Sequence, residues 1–243
     1  MTHRPISSWP CALLLLAAAC STTPPDFAHY GGMREVMRLG QTEPRTELQP
    51  FAAPGCYGLG ALAGLAGEIL IDDGRVWVAR QTTAVAAAAA TDHATLLAVA
   101  RVPAWRTVPL AEAADLTDLE QHLARAVPDA NRSDGAPLPF VIDGTATQLA
   151  MHVVRGYCPH GEPVAGAAAP DTFAHANGTE LPVRLVGLFA PGRAGLLTHH
   201  GTSLHVHALV HAREPGATVP AALGHVDGLT LAPGAVLRVP QQR

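Results

Sequence analysis

The chain has 243 residues, of which 48% are hydrophobic, 15% charged and 5% aromatic, and its formal net charge is −4. All 16 basic residues are Arg, so no Lys is present to form a Schiff base with a carbonyl substrate or to complete a Walker-type phosphate-binding loop. The slight acidic excess gives no electrostatic support for nucleic acid as a partner, and we expect none.

The N-terminal segment predicts export. Residues 1–10 carry Arg4 and no acid, and they precede an apolar core over residues 11–19. This core is too short to span a bilayer as a helix, and small residues follow it where a signal peptidase cuts. The pattern therefore predicts a signal peptide over residues 1–19.

The cysteines agree with export. The letters LLAAAC resemble a bacterial lipobox, in which Cys20 becomes the lipidated N-terminus, and cleavage after Ala19 without lipidation is the alternative. Residues 20–27 then form a tether, and we expect an exported protein that is periplasmic or anchored to the outer membrane only through Cys20. Cys56 and Cys158 remain, and an oxidising compartment permits a disulfide between them if their backbones lie close enough.

The mature chain, residues 28–243, is predicted to fold as one domain or as two subdomains of about 28–130 and 131–243. Apolar spacing predicts a helix over residues 33–39. An Asp-Gly pair at residues 73–74, between two β-rich runs, predicts a β-hairpin.

A second helix is predicted over residues 116–127, with Thr117 as N-cap and Glu120 completing a capping box. Residues 159–180 are rich in Pro, Gly and Ala, which is typical of a long loop. The β-rich runs predict strands over residues 69–71, 75–79, 96–102, 139–144, 148–154, 181–189, 203–210, 224–231 and 235–239. The sum is an α+β fold class that is β-rich, with mixed or antiparallel sheets and two or three helices.

The histidines are concentrated near the C-terminus, where residues 199–225 hold six of the 13. Residues 204–210 alternate, so His205 and His207 share one face of a predicted strand while apolar residues share the other. Two imidazoles at this spacing lie about 6–7 Å apart, so both can bind one metal ion. His225 is a candidate third ligand, and three protein ligands with an open position are typical of a catalytic zinc site. A solvated polar strand face, or a His-rich metal scavenger, is the alternative interpretation.

Glu68, His152 and Arg155 carry no such pattern, and each taken alone is typical of a solvated surface residue. The sequence has no Gly-x-Ser-x-Gly elbow and no Cys-x-x-Cys motif, so neither of these signatures points to a reaction. What brings Glu68 and His152 into the argument is an ordered set of short motifs along the chain.

These motifs are GCYGLGAL at 55–62, LAGE at 65–68, DGR at 73–75, IDG at 142–144, VGL at 186–188 with Pro191, HVH at 205–207 and GHV at 224–226. In this order they resemble the α-acetolactate decarboxylase family, over roughly residues 28–240. No single motif is decisive, and the specificity lies in the ordered set.

The resemblance implies the fold of that family, a homodimer, and a Zn²⁺ ion bound by His205, His207 and His225. The family's small-molecule substrate is 2-acetolactate, which is decarboxylated to acetoin and carbon dioxide. A metal can polarise the substrate carbonyl as a Lewis acid, and the matching acidic residue, Glu68, can deliver the proton that completes acetoin. His152 is implied as the second catalytic residue, since it stands where the family has an Arg.

Three positions depart from the family pattern. His152 replaces an Arg expected to meet the substrate carboxylate or the developing oxyanion, and His cannot supply the bidentate fork of Arg. Ala61 replaces a small hydroxyl residue, and no acid follows Asp227 to match the second Glu that the family brings to zinc. Arg155 is a candidate substitute for the missing Arg, although strand alternation would point it to the other face.

The residues therefore leave three functions open. The first is a zinc lyase acting on 2-acetolactate, the second is a non-catalytic periplasmic zinc-binding lipoprotein, and the third is a related metal lyase acting on another 2-hydroxy-3-oxo acid. An enzyme requires His205, His207 and His225 to converge on one point, with Glu68 and His152 lining the same cavity.

Overall fold

The computed structural model describes residues 26–126, 136–157, 169–175, 180–211 and 219–241. These residues form two α-helices and two sheets, and every pairing between the strands of a sheet is antiparallel. The β-rich α+β expectation is confirmed. Within this part of the chain, no helix is long and apolar enough to cross a membrane.

The first sheet is built from the N-terminal part of the chain, in the order β1-β7-β3-β4-β5-β6 with β2 beside β7. Its elements are β1 (Asp26–Tyr30), α1 (Met33–Leu39), β2 (Thr46–Glu47), β3 (Cys56–Leu62), β4 (Glu68–Asp72), β5 (Arg75–Ala79), β6 (Val85–Ala87) and β7 (His93–Arg101). Helix α1 and the β4–β5 hairpin are confirmed. Asp73 and Gly74 form its turn with φ of 49° and 76°, as two-residue hairpin turns of the primed type require.

The second sheet has the order β8-β15-β10-β12-β13-β14-β9, and β11 pairs with β10. Its elements are β8 (Trp105–Leu110), β9 (Ala114–Asp115), α2 (Leu116–Ala126), β10 (Leu138–Val153), β11 (Asp171–His175), β12 (Leu181–Phe189), β13 (Leu204–Val210), β14 (Ala222–Leu231) and β15 (Ala235–Pro240). The chain leaves the first sheet after Arg101 and enters the second at Trp105. The predicted subdomain boundary near residue 130 therefore falls inside the part of the chain that forms the second sheet. The domain boundaries stay a prediction.

Strand β10 closes a ring within the second sheet. Its first part pairs with β12, and its later residues pair with β14, which is itself joined to β12 through β13. We predicted two strands here, separated at the Asp-Gly of residues 143–144, and that was wrong. Gly144 lies within the strand and does not form a turn. A Cβ at this position would lie 2.8 Å from the Cβ of Ala235, so glycine is needed here for the close packing of β15.

Two further local predictions are corrected. Helix α2 begins at Leu116, and its cap is the pair Asp115 and Asp118, whose carboxylates accept each other's backbone N–H at 2.9 and 3.2 Å. Thr117 and Glu120 are not the cap, because β9 pairs Asp115 with β14 and so sets where the helix begins. Residues 171–175, expected in a long loop, form the edge strand β11.

The two sheets pack through an apolar layer. Leu70 of β4 meets the second sheet in a cluster that includes Val186, Leu209 and Leu223. Each of these side chains is at most 2% exposed, and full burial of such a side chain stabilises the fold by about 1.5–3 kcal/mol. This layer holds the first residue of β4 against the strands that carry the C-terminal histidines.

A group of ion pairs, here called the Arg184 network, joins the sheets beside this layer. The Arg184 guanidinium donates to Asp72 of β4 at 2.8 Å and to Asp143 of β10 at 2.7 Å. Arg238 of β15 also pairs with Asp143. Burial acts to lower the pKa of Arg184, but the two carboxylates outweigh it and the pKa is raised.

Several predictions concern residues outside the described ranges. The signal peptide, Cys20 and Cys158 belong to this group. Of the predicted tether over residues 20–27, the last two residues belong to β1. Cys56 lies buried in β3, and among the described residues it forms no disulfide.

Candidate metal centre and active site

Strand β13 presents two histidines to the interface between the sheets. His205 and His207 are 4% and 1% exposed, and they share one strand face. The intervening Leu204 and Val206 face the second sheet's own core. The alternation read from the sequence is therefore confirmed.

His225 of β14 completes a group of three. It pairs directly with His207 across antiparallel strands, and residues directly opposite share a face. The ring centroids of His205, His207 and His225 are 5.1, 5.2 and 5.3 Å apart. These three residues are called the histidine cluster below.

The spacing of the histidine cluster fits one metal ion. One ligand nitrogen from each ring lies within 4.8 Å of the others. Zn–N bonds of about 2.0 Å in tetrahedral geometry place the centroids of two ligand rings about 5 Å apart, as observed for all three pairs. The donor set of three imidazoles suits zinc as well as copper, iron or nickel.

Backbone contacts orient two of the rings. His207 Nδ1 lies 2.8 Å from the carbonyl oxygen of Ile69. Because a carbonyl can only accept, Nδ1 carries the proton and Nε2 offers its lone pair to the cluster. His205 likewise bonds to the backbone of Leu197.

The cluster is electrically neutral at ordinary pH. Burial is the largest cause that lowers the pKa of His207, to about 3, and it also lowers the pKa of His205 and His225 well below the usual value. Their mutual repulsion adds to this for His205 and His225. Since only a neutral imidazole binds a metal, the rings are in the state that binding needs.

Glu68 faces the cluster from the first sheet. Its side chain is 4% exposed, with Oε1 accepting the backbone N–H of Val154 at 3.1 Å and Oε2 lying 3.5 Å from His207 Nε2. Burial raises the pKa of Glu68 to about 7, against the lowering effects of His152 and the Val154 N–H. Gly67, with φ of 146°, permits this approach, because a Cβ there would clash with the carbonyl oxygen of Ala79.

His152 of β10 extends the row of histidines. It pairs directly with His225, and the two ring centroids are 5.0 Å apart. His152 Nδ1 lies 2.8 Å from a carboxylate oxygen of Asp227. Asp227 reaches it from an irregularity in β14, where it is the extra residue between the pairs of Val226 and Gly228 with β10.

A cavity of about 400 Å³ opens beside the cluster. It is lined by side chains of α1, of the segment between β12 and β13, and of β13 and β14, among them His199, His225 and Asp227. The His199 ring is 5.2 Å from that of His225 and 6.5 Å from that of His205, so it stands at the border between cluster and cavity.

The family model described as alpha-acetolactate decarboxylase matches residues 30–235. The chain belongs to this family. Family membership makes the protein a carboxy-lyase, and it confirms what the ordered motifs indicated. A comparison with curated proteins gives no match.

Solved structures agree on the fold. The α-acetolactate decarboxylase of Bacillus subtilis strain 168 is 17% identical, with a TM-score of 0.68 over 89% of this chain and 86% of that one. The enzyme of Bacillus subtilis subspecies spizizenii is 16% identical, with a TM-score of 0.66 over 89% and 86%. A Staphylococcus aureus protein of unknown function, similar to alpha-acetolactate decarboxylase, is 13% identical, with a TM-score of 0.62 over 88% and 84%.

In this acetolactate decarboxylase relative, the structure places the five predicted site residues next to one another: Glu68, His152, His205, His207 and His225. The expectation that Glu68 and His152 line the cavity is not met, because only His225 of the five is among its lining residues. Sequence reasoning missed two neighbours. Asp227 depends on a strand irregularity that no local pattern reveals, whereas His199 had a weak signal in the crowding of histidines. Arg155 follows the end of β10, and its Nε is buried without a hydrogen-bond partner among the described residues.

Proposed function

We propose that this chain is a zinc-dependent lyase that decarboxylates 2-acetolactate to acetoin and carbon dioxide. The observation that carries the proposal is the meeting of a neutral histidine cluster with a buried carboxyl group, 3.5 Å from His207, beside a cavity. A solvated strand face would expose these groups, and a simple metal scavenger would not need Glu68 among them.

His205, His207 and His225 would hold the metal through one nitrogen each. A bound Zn²⁺ would act as a Lewis acid toward the hydroxyl and ketone oxygens of the substrate. The contacts of His207 with Ile69 and of His205 with Leu197 keep these rings in place. Preorganised ligands avoid rearrangement when the ion binds.

Glu68 is proposed as the proton carrier. Decarboxylation breaks a carbon–carbon bond and leaves its electron pair on the substrate as an enediolate, which needs one proton on carbon to become acetoin. Glu68 holds Oε1 against Val154 and turns Oε2 toward the cluster, so Oε2 is the atom placed to donate.

His152 is proposed to take the role of the family Arg. Its Nδ1 lies 2.8 Å from the Asp227 carboxylate, and the ring, when protonated, would donate a charge-assisted hydrogen bond to a substrate oxygen. The Asp227 contact also holds the ring orientation, as carboxylates do for catalytic histidines.

The test is acetoin formation from racemic 2-acetolactate by purified, zinc-loaded protein. We expect a rate well above spontaneous decarboxylation, with one enantiomer consumed first. Sub-micromolar zinc binding with no acetoin above background would contradict the lyase and support a non-catalytic zinc-binding protein.

A related substrate is the second candidate, and His152 in place of Arg favours it. A panel of 2-hydroxy-3-oxo acids with larger groups on C2 tests it, because the cavity of about 400 Å³ exceeds what a five-carbon acid fills. A higher kcat/KM for a larger acid than for 2-acetolactate would move the assignment to that acid.

Export with a lipid anchor on Cys20 is part of the proposal. Support comes from the signal-like residues 1–19 and the lipobox-like letters that end at Cys20. Labelled palmitate should enter the parent protein and not the Cys20→Ala variant. Equal label in both would contradict lipidation at this residue.

A further inference from the structure

Helix α1 lines the cavity with two arginines. The residues of α1 at the cavity are Met33, Arg34, Met37 and Arg38, which lie on one face at helical spacing. Met33 is buried beneath the helix, whereas Arg34 and Arg38 are exposed. The helix thus contributes two methionine side chains and two arginine side chains to the lining of the same cavity.

Backbone hydrogen bonds tie this helix to the segment that carries His199. The N–H groups of Met33 and Arg34 donate to the carbonyl oxygens of Leu196 and Gly195, at 3.0 and 2.7 Å. Because His199 belongs to the same short segment, these bonds fix the backbone at the start of α1 beside the segment that borders the histidine cluster.

The charges around the cavity are unbalanced. Glu35, the acid of α1, pairs with Arg45 at 3.0 Å, and Asp227 pairs with His152. Among the described residues, neither Arg34 nor Arg38 has an ion-pair partner. Two arginines at the rim of a cavity, with the nearby acids already paired, make it attractive to an anion.

We propose that Arg34 and Arg38 bind the carboxylate of the substrate, an inference that rests on the proposed function. A guanidinium group offers the planar, two-pronged contact with a carboxylate that His152 cannot offer. An ion pair with the carboxylate exists before the carbon–carbon bond breaks and fades as carbon dioxide forms. Such a contact lowers KM and leaves kcat unchanged or slightly reduced.

The direct test uses binding, with no reaction required. The zinc-loaded parent and the Arg34→Gln, Arg38→Gln and double variants are titrated calorimetrically with 2,3-dihydroxy-2-methylbutanoate, which keeps the carboxylate but cannot decarboxylate in the same way. Neutral 2,3-butanediol serves as the second ligand. We expect the double variant to bind the acid about 10–100-fold more weakly, since a charge-assisted hydrogen bond contributes about 1.5–3 kcal/mol, while diol binding stays within about twofold.

Two control variants sharpen the result. Arg75→Gln changes an exposed Arg on the β4–β5 hairpin and should leave binding of both ligands unchanged. Arg34→Lys keeps the charge and should recover part of the lost affinity for the acid. Thermal unfolding at the parent's midpoint shows that each variant is folded.

The outcomes separate this inference from the proposed function. If the double variant loses binding of the acid alone, and the parent forms no acetoin, the arginine site is supported and the proposed lyase activity is contradicted. If the parent is active and the double variant has the same KM as the parent, the arginine site is contradicted and the proposed lyase activity is not. The site is also overturned by equal loss of both ligands, by a parent that binds no acid, or by loss of acid binding in Arg155→Gln instead.

Discussion

Two carboxyl groups at the ends of strand β4 meet the second sheet in opposite ways. Glu68 begins the strand and Asp72 ends it, and alternation turns both toward the second sheet with Leu70 between them. The Glu68 side chain is 4% exposed and lies against neutral imidazoles, whereas the Asp72 side chain is 21% exposed and lies 2.8 Å from Arg184.

The difference shows how a partner decides what a carboxyl group does. In the Arg184 network, guanidinium groups compensate the negative charge of Asp72 and Asp143, and the ion pairs join the two sheets. Among the described residues no Arg pairs with Glu68, and burial raises its pKa to about 7 against the lowering effect of His152. A buried acid with a raised pKa is typical of a functional position.

Removing the metal should have the largest effect, and only at the Glu68 end. Chelated protein should form acetoin at the spontaneous rate, and added zinc should restore it, because the substrate oxygens lose their Lewis acid. His207→Ala should not be restored. Acetoin assays and metal analysis measure this, with Asp72→Asn as the matched control that keeps both zinc and activity.

Glu68→Gln comes next. We expect kcat to fall about 10²–10⁴-fold, the usual contribution of a positioned proton donor, while zinc content stays at the parent level. Asp72→Asn, four residues along the same face, should retain kcat. A Glu68→Gln variant with parental kcat would exclude Glu68 as the proton carrier.

Asp227→Asn should lower kcat/KM about 10–100-fold, because an amide holds the His152 ring less strongly than a carboxylate does. Asp227→Glu should recover part of the loss. Steady-state kinetics of both variants measures this, and equal unfolding midpoints show that the effect is on the reaction. Full activity of Asp227→Asn would remove Asp227 from the site.

At the other end of β4, Arg184→Met should affect stability alone. The change removes the Arg184 cation that pairs with Asp72, while Asp143 keeps its ion pair with Arg238. We expect the free energy of unfolding to fall by about 1–3 kcal/mol. Chemical denaturation measures this, and kcat should match the parent. A loss of kcat without a loss of stability would contradict the division between the two ends.

The smallest effect concerns pH. Burial acts to raise the pKa of Asp143, but Arg184 and Arg238 outweigh it and lower the pKa below 3.8. A lowered folded-state pKa contributes stability above pH 3.8 that is lost as the pH falls through the folded value. Asp143→Asn should therefore be less stable than the parent at pH 7, by about 1 kcal/mol or less for such an exposed pair. The difference should shrink below about pH 4, and a constant difference would contradict it.

Local patterns predicted the parts of the fold that depend on local physics. The β4–β5 hairpin follows from Asp73-Gly74, and the histidine face of β13 follows from alternation with Leu204 and Val206. The start of α2 at residue 116 was predicted correctly, whereas its cap and the path of β10 were predicted wrongly. Asp115 is selected as the cap by its pairing with β14, and Gly144 is selected by the approach of β15.

The site divides in the same way. His205 and His207 were visible in one strand, but Glu68 and His152 gained meaning only through the family resemblance. No local pattern brings Ile69 to His207, which lie 138 residues apart, or Asp227 to His152, which lie 75 apart. Register between distant strands sets both contacts.

The ring closed by β10 has a consequence for folding. His152 meets His225 only when β14 has docked on the later half of β10, so the site assembles after nearly all of the chain has been synthesised. Contacts between residues so far apart in sequence form slowly, because closing the loop between them costs conformational entropy before the contact contributes any stabilising energy. A nascent chain therefore lacks the contact between His152 and the histidine cluster until β14 has been synthesised and has docked on β10.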